Sequence, residues 1–110
     1  MTYLRIDRIN ELIKETLAEI IQKEADIPLG VFVTVSRVDT SKDLRYARVF
    51  VSVFPEKHFR KILEHLAKRV YSLQGLLNKR LQMKPLPRIR FVADKTEVEA
   101  DKIEKLLKAL

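Results

Sequence analysis

Two histidines, His58 and His65, stand seven residues apart, which places both near one face of a helix. Such a pair can hold a metal ion when a third donor completes the set, and Glu64 is the nearest one in sequence. The spacing is not that of H-E-x-x-H, and the chain has no cysteine, so thiolate ligation and disulfides are both excluded. Solvated or amphipathic histidines explain the pair more simply, and no metal or other cofactor is expected. Ser41 and Asp43 have the residue types of a nucleophile and its partner, but no histidine lies near them in sequence to activate the hydroxyl. Turn and capping hydrogen bonds account for both. Gly30 and Gly75 are the only glycines, so neither a Walker loop nor a dinucleotide fingerprint can be present. No catalytic residue and no small-molecule substrate are expected; the chain does not read as an enzyme.

Charge is the stronger signal. The 110 residues carry a formal net charge of +7. Residues 56–90 hold ten bases and two acids, a local +8, so the rest of the chain sums to −1. From His65 to Ala93 there is no acid at all, and KRLQMKPLPRIRF, Lys79 to Phe91, has five bases among thirteen residues. A solvated surface ordinarily mixes both signs, as the flanking segments do. Concentration of the whole excess in one third of the chain points to a polyanion, and Lys68, Arg69, Lys79, Arg80, Lys84, Arg88 and Arg90 are the candidate phosphate contacts. The alternative class is a basic protein–protein interaction module.

The elements that must position these residues follow from periodicity. Residues 4–24 predict a helix with Ile6, Ile9, Ile13, Leu17 and Ile20 on one stripe, ended by Asp26-Ile27-Pro28-Leu29-Gly30, where Gly30 is expected at a turn with positive φ. VFVTVSRV, 31–38, and RYARVFVSVF, 45–54, alternate as strands joined by the polar turn DTSKDL. Helices follow over 56–71 and 73–83, then a short strand, 88–93, and a last helix, 97–109, with Val98, Ile103, Leu106 and Leu107 able to lie inward. Tyr46, Arg48 and Phe50 share the strand face opposite Ala47, Val49, Val51 and Val53. That row either stacks on bases or is partly covered by the last helix. Length and the even spread of apolar residues make 1–110 one domain. No apolar run approaches the ~20 residues that span a bilayer, and the N-terminus is not a signal peptide, so a cytoplasmic protein with no membrane partner is expected. The charges between Lys42 and Arg48 disfavour edge-to-edge pairing of strands, which reads as a monomer.

The fold class is therefore α+β, order α-β-β-α-α-β-α, with a three-stranded mixed sheet and helices packed on it. This is the order of a type II KH-like domain. Three stretches together resemble the bacterial ribosome-binding factor A family: RIDRINELIKETLAEII, DIPLG with VTVSRVDTSKDLRYARVFVSVF, and LLNKRLQMKPLPRIRFVADKTEVEADKIEKLL. The V-S-x-D-L-x-x-A-x-V-x-V-S-V element is the most specific part, and the likeness spans residues 5–107. The resemblance implies binding to free 30S subunits and their precursors. It further implies contact with 16S rRNA near its 5′ terminal helix, support of late maturation and rRNA processing, and a part in cold adaptation. Arg5 and Arg8 become candidate rRNA contacts through it; their alternative is pairing with Glu11 and Glu15. The family replaces the GXXG loop of KH domains with a helix kink, usually Ala-x-Gly. Here the aligned residues are Arg69-Val70-Tyr71, Gln74 stands where an arginine is usual, and Lys84 replaces another arginine. The kink is then expected near Tyr71, Ser72 or Gly75.

Overall fold

The computed structural model describes residues 2–84, 86–95 and 106–109. Helix α1, Thr2–Glu24, buries Ile9, Ile13, Leu17, Ile20 and Ile21, the stripe that its periodicity demands. It stops where Asp26 turns to φ 51°, and the chain then swings through Gly30 at φ 82°, as expected for that glycine. Asn10 anchors the middle of this layer: its side-chain oxygen accepts the Thr40 amide at 3.0 Å and the Thr40 hydroxyl at 2.5 Å.

Strands β1, Phe32–Thr40, and β2, Tyr46–Phe54, pair antiparallel from Phe32↔Phe54 to Thr40↔Ala47. Strand β1 therefore runs two residues beyond the expected end, and the turn tightens to 41–45. Ser41 and Asp43 serve that turn. The Ser41 hydroxyl donates to the Asp43 carboxylate at 2.6 Å and accepts the Tyr46 amide at 3.1 Å. Asp43 also accepts the Arg45 amide at 3.1 Å, and Leu44 takes φ 62°. The register slips by one between Val35 and Arg37, leaving Ser36 as a bulge. The bulge reverses the alternation, so that Val35 and Val38 both face the core while Arg37 turns outward. The Ser36 hydroxyl donates to the Asp94 carboxylate at 2.5 Å and lies 3.1 Å from the Phe50 carbonyl oxygen.

A single 3-10 turn, Glu56–His58, leads into α2, Phe59–Lys68, and α3, Val70–Leu81. The two helices break at Arg69, with φ −101° and ψ 3°, and not at Tyr71, Ser72 or Gly75, all of which lie inside α3. This is bridge-region backbone that any L-residue can adopt, so the break needs no glycine. Helix α3 ends with Gln82 at φ 50°. Strand β3, Arg88–Ala93, lies parallel to β2 from Tyr46↔Arg88 to Val51↔Ala93. Among the described residues the sheet has three strands in the order β1-β2-β3, mixed as expected, and the fold is a type II KH-like α+β domain.

Leu17, Leu66, Leu73 and Leu77 from the helices are fully buried together with Val49 and Val51 from the central strand. Each such side chain contributes on the order of 1.5–3 kcal/mol. The helices thus occupy one face of the sheet. The expected last helix falls mostly outside the described residues, Val98 and Ile103 among them. Residues 106–109 are helical, but Leu106 and Leu107 are exposed and do not lie inward.

Candidate nucleic-acid interface

The acid-free stretch folds into the end of α2, α3, the loop after it and β3, and those elements divide its cations between two faces. Lys68, Lys79 and Arg80 lie on α2 and α3 and are exposed, as is Lys84 in the loop after α3; Arg69, at the break, is half-buried. Arg88 and Arg90 flank the buried Ile89, so they project from the face of the sheet opposite α1, α2 and α3. The sequence placed all seven in one cluster; the pleat of β3 separates them.

Two of the seven already meet an acid. The Arg80 guanidinium lies 2.8 Å from the Glu19 carboxylate on α1, and this hydrogen bond, then the guanidinium charge, holds the Glu19 carboxyl below its ordinary value. Arg69 lies 3.3 Å from Asp26 in the α1–β1 loop. Lys68, Lys79, Lys84, Arg88 and Arg90 form no ion pair among the described residues. Arg5 and Arg8 are exposed on α1 and likewise unpaired among the described residues, so the alternative pairing with Glu11 and Glu15 is not found.

The helix break is held from outside the helices. His65 meets the Ala25 carbonyl oxygen through its Nε2 at 2.5 Å, one helical turn before the Arg69–Asp26 pair. Both contacts clip the end of α2 to the end of α1. His65 thus has a structural partner, and among the described residues no three His, Asp or Glu side chains converge on a metal site.

Gln74 has a role that its type did not announce. Its side-chain oxygen accepts the Ile89 amide at 2.8 Å, and its amide nitrogen donates to the Pro87 carbonyl at 3.2 Å and to Asn78 at 3.0 Å. It therefore pairs with β3 as a neighbouring strand would and fixes that strand against α3. On the face opposite α1, α2 and α3, sequence reasoning missed Arg37, because strict alternation from Val35 puts residue 37 inward. The signal was the Val35–Val38 spacing, which only a bulge reconciles with a buried face. Arg37 lies 3.9 Å over the centre of the Phe50 ring, and Arg48 lies 5.4 Å from it.

Comparison with known proteins places this arrangement among relatives. The profile of the family described as ribosome-binding factor A matches residues 5–107. The ribosome-binding factor A of Natranaerobius thermophilus is 37% identical over 111 residues, covering 100% of this chain and 85% of the relative. The crystal structure of ribosome-binding factor A from Thermus thermophilus superposes with a TM-score of 0.70 at 32% identity, covering 80% of this chain and 94% of that one. The Thermus thermophilus factor as fitted into a cryo-electron microscopy map of a 30S complex gives a TM-score of 0.65 at 32% identity, covering 77% and 90%.

Proposed function

Because this chain belongs to the ribosome-binding factor A family, we propose that it binds the small ribosomal subunit and acts as an assembly factor, not as a permanent component. The observation that supports an RNA contact is the set of exposed, unpaired lysines on α2, on α3 and in the loop after it: Lys68, Lys79 and Lys84. Point charges on a helix pair and the loop that follows it can grip folded RNA by phosphate spacing, without a GXXG clamp. In this reading the target is 16S rRNA near its 5′ terminal helix, in free 30S subunits and their precursors. The factor assists late maturation and rRNA processing as a cytoplasmic monomer, contributes to growth in the cold, and catalyses nothing itself. Arg5, Arg8, Arg69 and Arg80 join the contact surface, the last two only when phosphate displaces Asp26 and Glu19. No described helix is long and apolar enough to cross a membrane.

The test is sedimentation of a cell extract with detection of the protein across the gradient. It should follow free small subunits and precursors and be depleted from whole ribosomes and polysomes. Equal amounts in translating ribosomes would make it a structural ribosomal protein. Retention on RNA-free protein fractions alone would make it a protein-interaction module. Charge reversal by Lys79→Glu with Lys84→Glu should remove the small-subunit peak while leaving the fold intact, since both side chains face solvent.

A further inference from the structure

The face of the sheet opposite α1, α2 and α3 carries a second set of groups that the helical grip does not use. Register places Tyr46 beside Arg88 and Arg48 beside Arg90 across β2 and β3, and Arg37 beside Phe50 and Asp39 beside Arg48 across β1 and β2. Every base on this face of the strands is an arginine: Arg37, Arg48, Arg88 and Arg90. The one acid of these rungs, Asp39, is held by Arg48 at 2.5 Å. Tyr46 is 57% exposed, and a cavity of about 560 Å³ opens between it, Asp39, Ser41, Arg48, Arg88 and Arg90. At the far end of the same face Phe32 and Phe54 are paired in register and are 66% and 70% exposed. Phe50, between the two ends, is only 7% exposed, and the guanidinium of Arg37 lies over its ring.

We propose that this face is a second RNA surface, which takes unpaired nucleotides by stacking bases on Tyr46 and on the guanidinium planes of Arg88, Arg90 and Arg48. The inference rests on the small-subunit reading above and adds the form of RNA that the second face recognises. Charge complementarity selects a polyanion, since Arg37, Arg88 and Arg90 are left over once Arg48 has paired Asp39. Planarity selects bases over phosphate alone: a guanidinium stacks and offers a rigid fork of donors, which a lysine ammonium does not. Outward side chains two residues apart on a strand stand about 6.6 Å from one another, so a base can enter between successive planar groups. Duplex RNA offers no free base faces and is the wrong shape for a flat sheet. One molecule can thus hold folded RNA with its helices and an adjoining single strand with its sheet.

The chain has no tryptophan and only three tyrosines, so a Tyr3→Phe, Tyr71→Phe variant leaves Tyr46 as the one tyrosine emitter. Addition of a short oligouridylate should quench that emission. An RNA duplex with the same number of phosphates should not, and neither should inorganic polyphosphate. Tyr46→Ala, and separately the charge-preserving pair Arg88→Lys with Arg90→Lys, should each weaken oligouridylate binding about tenfold with the circular dichroism spectrum unchanged. Equal quenching by duplex or polyphosphate, or no loss in the lysine pair, would reduce the face to a positive field and overturn the proposal. Equal competition by polyglutamate would assign it to an acidic protein instead. If the sheet variants lose nothing while Lys79→Glu with Lys84→Glu still abolishes subunit binding, this inference falls and the small-subunit reading stands. If the unmodified protein binds neither oligouridylate nor subunits, both fall.

Discussion

Removing an acid should make this protein bind RNA more tightly. In the folded chain Arg80 is engaged by Glu19 at 2.8 Å, with both side chains about half exposed, so the guanidinium must leave a carboxylate before it can meet a phosphate. Glu19→Gln keeps the side-chain volume and removes the competing charge. One added phosphate contact steepens the dependence of log affinity on log salt by about 0.7–0.9. Applied at about 0.1 M salt, that slope corresponds to an affinity gain of about five- to eightfold. The assay is a salt titration of binding to small-subunit RNA, for wild type, Glu19→Gln, Arg80→Gln and the double variant. The double variant should show no gain over Arg80→Gln, which isolates the pair. The same pair makes binding depend on pH. Arg80 depresses the Glu19 carboxyl, so the pair persists through neutral and mildly acidic pH. It is lost only as pH falls through that lowered value, where the affinity of the wild type should rise toward that of Glu19→Gln. An unchanged slope and affinity in Glu19→Gln would refute Arg80 as a phosphate contact.

Gln74→Leu should leave the buried Ile89 amide without its acceptor at about 1–3 kcal/mol, which for a chain of this length lowers the melting temperature by about 5–12 °C; Gln74→Glu should cost less because it still accepts from Ile89. Gly30→Ala should cost about 1 kcal/mol in urea denaturation, all of it from the backbone, because φ is 82° and no atom crowds the new methyl group. The Ser41 hydroxyl, then the Arg45 amide, holds the Asp43 carboxyl below its ordinary value, so the 41–45 turn is stabilised above the usual aspartate range and loses that support as pH falls through the folded value. The protection factor of the Arg45 amide, its exchange rate relative to that of an unstructured amide at the same pH, should fall there, and Asp43→Asn should abolish that fall.

Local chemistry made much of this protein legible without coordinates. The stripe from Ile9 to Ile20 can bury itself only as a helix, and Ala47 to Val53 only as a strand with one wet face. Gly30 and the Ser41–Asp43 turn follow from backbone freedom and short-range hydrogen bonds, which depend on neighbours within a few residues. The family likeness, too, was carried by contiguous motifs. The misplaced features are those whose causes lie far away in the chain. Intrinsic helix propensity is weak at Ser72 and Gly75, which argues for a break there. The break stands instead at Arg69, where Asp26 and the Ala25 carbonyl hold the end of α2 and the backbone needs no special residue. Arg37 faces outward because Ser36 bulges, a choice tied to Asp94, 58 residues on. The basic third looked like one surface because sequence records charge but not facing. The pleat of β3 sends Arg88 and Arg90 to one side, α3 carries Lys79 to the other, and Glu19, 61 residues from Arg80, decides which cation is free. Periodicity sets which face of its own element a residue occupies; only the packing of the elements sets what that face meets.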